Sequence, residues 1–222
     1  MKTRTMWLVT MLVGVGSPTV SSAQEKPRNA AGFYGAPTTH HVASGTDREQ
    51  MESSTMLDFG LYYARFLPRD LSLRAELRLA TREFTAEVAD VNPGSYALYP
   101  TREQFLEIPV MLYAVTAAPI GEAEVRISVG GGGYYAILLS QDFAGDPGQG
   151  VPDMPQAPLE AGGYYRFGWV GDGGVALIFR AGRAVFLNFR FQDDLGISGE
   201  PDVSVAREDI AFGFYAGFEW LF

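Results

Sequence analysis

Apolar and polar residues alternate one for one along most of this chain, and that period of two is the mark of β-strands with two different faces. In LDFGLYYARF, Leu57, Phe59, Leu61 and Tyr63 share one face, while Asp58, Gly60 and Tyr62 share the other. Leu71, Leu73, Ala75, Leu77 and Leu79 alternate with Ser72, Arg74, Glu76, Arg78 and Ala80. Leu106, Ile108, Val110 and Leu112 oppose Glu107, Pro109, Met111 and Tyr113. The pattern returns with Val125, Ile127 and Val129 against Arg126, Ser128 and Gly130. It continues with Phe167 and Trp169 against Arg166 and Gly168, then Val185, Leu187, Phe189 and Phe191 against Asn188 and Arg190. The last segment, EDIAFGFYAGFEWLF, puts Ile210, Phe212, Phe214, Ala216, Phe218, Trp220 and Phe222 in one row. With a weaker strand over residues 30–42, the pattern predicts eight strands.

The connections alternate in length. LPRD, AAPIGE and AGR are short. The intervening ones, near residues 42–52, 83–103, 141–161 and 193–208, are long. Transmembrane barrels have this asymmetry, with short periplasmic turns and long outer loops. A soluble sandwich or a lipocalin-like ligand-binding cup would also alternate. Strand length argues for the membrane, since a tilted spanning strand needs about 9–11 residues and ordinary strands run about 5–6. Aromatics at the strand ends argue the same way: Tyr62, Tyr63 and Phe66, then Tyr164 and Tyr165, then Trp220 and Phe222. The fold class expected is all-β, an eight-stranded antiparallel up-and-down transmembrane β-barrel with both ends of the chain on the periplasmic side.

Composition narrows the address. The N-terminus reads as an export signal, residues 1–23, with Lys2 and Arg4, an apolar run over residues 6–16 and a cut before Gln24. Residues 24–52 then hold the first strand, and residues 53–222 the rest of one barrel domain. Cysteine is absent, so no disulfide, thiolate nucleophile or Cys-ligated metal is available. The net charge of −9 disfavours a nucleic-acid partner. The polar face is rich in Arg and carboxylate, and Lys occurs at only two positions in the chain. Guanidinium–carboxylate pairs suit an enclosed network better than a solvated sheet face. The luminal network expected is Asp58, Arg74, Glu76, Arg78, Glu107, Arg126, Arg166, Arg190 and Glu219.

Several stretches also resemble the PorT-like family of small bacterial outer-membrane β-barrels: ELRLA (76–80), FLEIPVMLY (105–113), GGGGYYAILLS (130–140), FLNFRFQDDLGIS (186–198) and the closing FGFYAGFEWLF. The resemblance spans roughly residues 55–222 and implies fold and location rather than a specific role. An aromatic row ending in Phe218, Trp220 and Phe222 matches the signal read by the outer-membrane barrel assembly machinery. Outer-membrane lipid and that machinery are therefore the partners expected, with an envelope or secretion-complex protein as a further one.

No constellation points to catalysis, a cofactor or a metal. GGGG (130–133) and GDGG (171–174) lack the Lys-Ser/Thr and helix of a phosphate loop. His40 and His41, the only histidines, read as solvated loop residues near the outer end of the first strand. A lipid-modifying enzyme using them is the lesser alternative. The acids of the long loops, Asp142, Asp146, Asp153 and Glu160, then Asp193, Asp194, Glu200, Asp202, Glu208 and Asp209, have no cation-binding spacing. The role expected is structural or interactive at the cell envelope with a plugged lumen, and the alternative is a narrow small-solute channel.

Overall fold

The computed structural model describes residues 28–43, 51–89, 96–143, 165–179, 181–198 and 208–222. The expected leader lies outside these residues, as does the acidic stretch 144–164. The described chain forms eight strands: β1 (Asn29–Ala43), β2 (Met51–Leu67), β3 (Leu71–Ala89), β4 (Tyr96–Ile120), β5 (Ala123–Phe143), β6 (Tyr165–Phe179), β7 (Arg183–Ser198) and β8 (Glu208–Leu221). Each pairs antiparallel with the next, and β8 closes on β1 to complete the barrel. The closure is tied at one end by the amides of Arg28 and Asn29, which donate to the Phe222 carbonyl, and by the Phe222 amide, which donates to Asn29. That end also carries the three short turns.

Left-handed backbone makes two of those turns tight. Gly121 (φ 62°) and Gly182 (φ 67°) occupy it at no steric cost. In the third, Arg69 (φ 65°) and Asp70 (φ 56°) adopt it despite their Cβ atoms. Successive positive φ values suit the twist of a two-strand hairpin.

Strand length corrects the sequence reading. The strands run from 14 to 25 residues and absorb much of the expected loops. The stretch 83–103 shrinks to residues 90–95, because β3 and β4 stay paired out to Ala89↔Tyr96. Asp193 and Asp194 belong to β7, and Asp209 to β8. AAPIGE narrows to Gly121 and Glu122. AAPIGE was bounded by its Pro119 and Gly121, whereas the first two share a physical reason. The sequence reading stopped where outward-facing apolar residues gave way to polar ones, but a hydrogen-bonded ladder does not require apolar side chains.

The two faces divide as the alternation dictates. Leu57, Phe59 and Leu61, with Leu73, Leu77 and Leu79, are exposed on the outside, and so are Phe214, Phe218, Trp220 and Phe222. A soluble monomer seldom shows an apolar patch beyond roughly 300–600 Å², and here the apolar band encircles the molecule. Two members of the expected aromatic girdle turn inward, and one is Phe66, packed against the core with the Arg126 guanidinium 5.4 Å from its ring centroid. Tyr62 points into the barrel and is 5% exposed, whereas Tyr63 on the opposite parity faces out.

Inside, glycine and aromatic residues pair across strands. Gly32 lies opposite Tyr62 and Gly60 opposite Tyr34, and the same pairing joins Tyr113 to Gly130 and Tyr134 to Gly168. A Cβ on Gly60 would collide with the Tyr34 ring. The ring therefore lies flat over bare backbone, and a barrel of this width closes around large side chains.

Candidate functional site

The barrel interior is a column of charged side chains in three tiers. At the turn end, Arg126 Nη2 donates to Glu219 Oε1 at 2.5 Å, and Tyr62 Oη donates to Glu219 Oε2 at 2.6 Å. The Arg74 guanidinium lies 3.7 Å from the Tyr62 ring centroid and joins this tier to the next.

The middle tier centres on Glu76. Arg190 donates to both of its oxygens at 2.7 Å, the bidentate geometry that makes guanidinium–carboxylate pairs strong. Tyr34 Oη donates to Glu76 at 2.6 Å, and Arg74 Nε lies 2.7 Å from it. Arg190 also holds Asp172, which accepts from Asn188 at 2.7 Å. The Tyr215 ring lies between this tier and the third, with the Arg190 guanidinium 4.4 Å and that of Arg78 5.3 Å from its centroid.

The loop-end tier is the largest. Arg78 donates to Glu107 at 3.1 Å and also to Asp58 and Gln192. Arg82 donates to Glu107 at 3.0 Å and lies 2.7 Å from Asp209. His40 Nδ1 is 3.0 Å from Asp209 Oδ2. Arg166 donates to Asp194 at 2.6 Å and approaches Glu103 at 3.6 Å. Five carboxylates (Asp58, Glu103, Glu107, Asp194, Asp209) here meet three guanidiniums (Arg78, Arg82, Arg166) and one imidazole.

Every residue named from sequence as luminal faces the interior: Asp58, Arg74, Glu76, Arg78, Glu107, Arg166, Arg190 and Glu219 are buried, and Arg126 nearly so. Glu76, Glu107 and Arg126, which a single network would unite, sit one in each tier and are linked through the Tyr62 and Tyr215 rings. The sequence reading missed Arg82, Glu103, Asp172, Asp194, Asp209 and His40. All six continue the inward parity of their strands, and that parity was the available signal. Most were passed over because they fall in stretches read as loop.

The two histidines are not solvated loop residues. Both lie on β1, and the alternation splits them. His40 is fully buried in the third tier. His41 faces out, with Nδ1 2.7 Å from Ser53 Oγ and its ring stacked 5.2 Å from that of Phe212. Among the described residues, no three or more His, Asp or Glu are arranged to hold a metal ion.

A family model for the outer membrane protein beta-barrel domain matches residues 22–199. A comparison with curated protein sequences finds no match. Among solved structures, Neisserial surface protein A is 10% identical at a TM-score of 0.50, covering 87% of this chain and 97% of its own. The outer membrane protein AlkL, in lipid bilayers, is 12% identical at 0.48, covering 95% and 97%. The attachment invasion locus protein Ail of Yersinia pestis is 10% identical at 0.39, covering 87% and 99%. At these identities the likeness concerns the fold alone.

Proposed function

Because this chain belongs to the outer membrane protein beta-barrel domain family, we propose that it serves the cell envelope as a closed barrel, with a structural or interaction role rather than a transport one. The barrel is integral to the outer membrane, with its short turns on the periplasmic side and its long connections outside. The observation that carries the proposal is the set of ion pairs buried in the interior. Arg78, Arg82, Arg166 and Arg190 are each no more than 1% exposed, and all four are ion-paired to buried carboxylates. An eight-stranded barrel is just wide enough to be filled by side chains. Moving a hydrated solute through it would mean parting pairs that stabilise one another in a low-dielectric interior.

Within the family, the stretches around Glu76, Glu107 and Arg190 support a PorT-like reading. Support of a secretion or envelope complex, or adhesion, is then the role of the loop end. The periplasmic aromatics Phe218, Trp220 and Phe222 face lipid and serve as the recognition row for the assembly machinery.

Purified protein in planar bilayers tests the closed lumen. The expected record is a flat baseline at physiological salt. Discrete, reproducible conductance steps would overturn the closed-barrel reading and favour the narrow channel.

A further inference from the structure

The wall of the barrel is not equally knit all round. The β2–β3 ladder runs for nine pairs, from Leu67↔Leu71 to Phe59↔Leu79, and stops there. Both strands continue. β2 remains paired with β1 out to Met51↔Ala43, and β3 with β4 out to Ala89↔Tyr96. Beyond Phe59 the two neighbours therefore run side by side with no backbone pairing between them. Nine pairs are eight steps of ~3.3 Å, which at a tilt near 40° span about 20 Å, and the two further residues to Leu57 bring β2 to about 25 Å, the height of the apolar band of an outer-membrane barrel. The seam thus opens at the outer membrane interface, where the outward row of β2 changes from Leu57 to Thr55 and Ser53.

Side chains close it instead. The Thr81 amide donates to Asp58 Oδ1 at 3.2 Å, and the Glu83 amide donates to Ser54 Oγ at 3.3 Å. A continued ladder would have set Thr81 against Leu57 and Glu83 against Thr55. Asp58 has a second attachment. Its Oδ2 takes the Arg78 guanidinium and stands 4.0 Å from His40 Nε2. One carboxylate thus grips the wall with one oxygen and the lumen with the other.

Charge balance does not require Asp58. Arg78 already has Glu107 and Gln192 as partners. Carboxylates outnumber guanidiniums in this tier, whose charged and titratable members are His40 on β1, Asp58 on β2, Arg78 and Arg82 on β3, Glu103 and Glu107 on β4, Arg166 on β6, Asp194 on β7 and Asp209 on β8. What sets Asp58 apart from the other acids is its bond to the β3 backbone.

We propose that the outer part of the β2–β3 seam is a latched lateral opening between the lumen and the outer membrane interface, with Asp58 as the latch and Ser54 as its second catch. Release of the latch exposes the loop-end tier sideways, at the level where acyl chains meet headgroups, while the nine-pair ladder below keeps the barrel closed through the membrane.

Amide hydrogen exchange on the full protein in lipid nanodiscs tests the latch. Asp58→Ala is expected to speed exchange at Thr81 by about ten- to a hundredfold, the range a hydrogen bond to a charged group carries, and Ser54→Ala to speed it at Glu83 by about two- to tenfold, the range of a neutral one. The ladder-paired amides of Leu77 and Leu79 should hold. Asp58→Asn retains an acceptor oxygen and should leave Thr81 protected. Because the chain has no cysteine, Thr38→Cys supplies one thiol inside the lumen, where Thr38 is fully buried beside Arg78. A lipid-partitioning maleimide should leave that thiol untouched in the otherwise native barrel and modify it in the Asp58→Ala background, faster than a water-soluble maleimide does. Unchanged exchange at Thr81 and Glu83, equal loss of protection at Leu77 and Leu79, or faster entry of the water-soluble reagent would each overturn the proposal.

Discussion

Glu76 shows at the scale of one residue why the interior holds. It accepts from Arg190 through both oxygens and from Tyr34, and it lies against Arg74. Removing one partner of a buried pair leaves the other charge uncompensated, at a cost of about 3–5 kcal/mol. Glu76→Ala takes the carboxylate partner from Arg74 and leaves Arg190 with Asp172 alone, so its unfolding midpoint in urea should fall by the equivalent of about that range. Glu107→Ala leaves Arg78 with Asp58 and Arg82 with Asp209, so its midpoint should fall by less. An unchanged thermal midpoint for Glu107→Ala would remove that residue from the network. Gly60→Ala probes the same cluster indirectly. Its new methyl meets the Tyr34 ring, which can give way only by leaving Glu76. Destabilisation comparable to Tyr34→Phe or larger is expected in the same urea titration, since it adds a steric clash to the lost hydrogen bond.

At the scale of the strand, β8 makes two different claims on its residues. Its even positions from Ile210 to Trp220, and Phe222 just beyond its end, meet lipid, and its odd positions Asp209, Tyr215 and Glu219 meet the charged column. A charged substitution on the lipid face is costly in proportion to its depth, about 2–4 kcal/mol for Arg or Lys near the midplane and about 0–1 at the interfaces. Phe214→Lys should therefore destabilise the barrel in phospholipid far more than Trp220→Lys. Measuring both in vesicles would locate the band directly, and equal costs would contradict the placement. Phe222 carries a separate expectation. Its backbone closes the barrel through Asn29, and its side chain belongs to the proposed assembly row. Phe222→Ala keeps the backbone bonds, so slower membrane insertion with unchanged stability of the folded fraction would isolate the recognition role.

The whole molecule behaves as one closed ladder, and closure has a measurable signature. A barrel without free edges resists SDS until it is boiled. Native protein extracted in mild detergent should therefore migrate differently on SDS gels before and after heating. Variants that strand luminal charges should lose the faster-unfolding threshold first: Glu76→Ala is expected to shift to the heated mobility at a lower temperature than native protein. Absence of any mobility change, with the protein recovered in the soluble periplasmic fraction, would instead place the aromatic face of β8 inside a soluble cup.

The period of two by itself determined the strand number and which residues of each strand share a face, because in an extended chain the direction of a side chain follows from parity alone, and strand length with the alternation of short and long connections added the closed barrel and its lipid-facing side. The period also placed Asp58, Arg74, Glu76, Arg78, Glu107, Arg126, Arg166, Arg190 and Glu219 on the inward parity. Parity carries no information about where a strand stops. Thus Glu103, Asp194 and Asp209 passed for loop residues, Arg82 stood at the last position before one, and His40 was not separated from His41. Register decided the rest. It is set by how eight strands stagger around a closed circle, and only that stagger brings Arg190 to Glu76 across 114 positions of sequence, Arg78 to Glu107 rather than Glu103, and Asp58 to the one stretch of wall where the backbone ladder has ended.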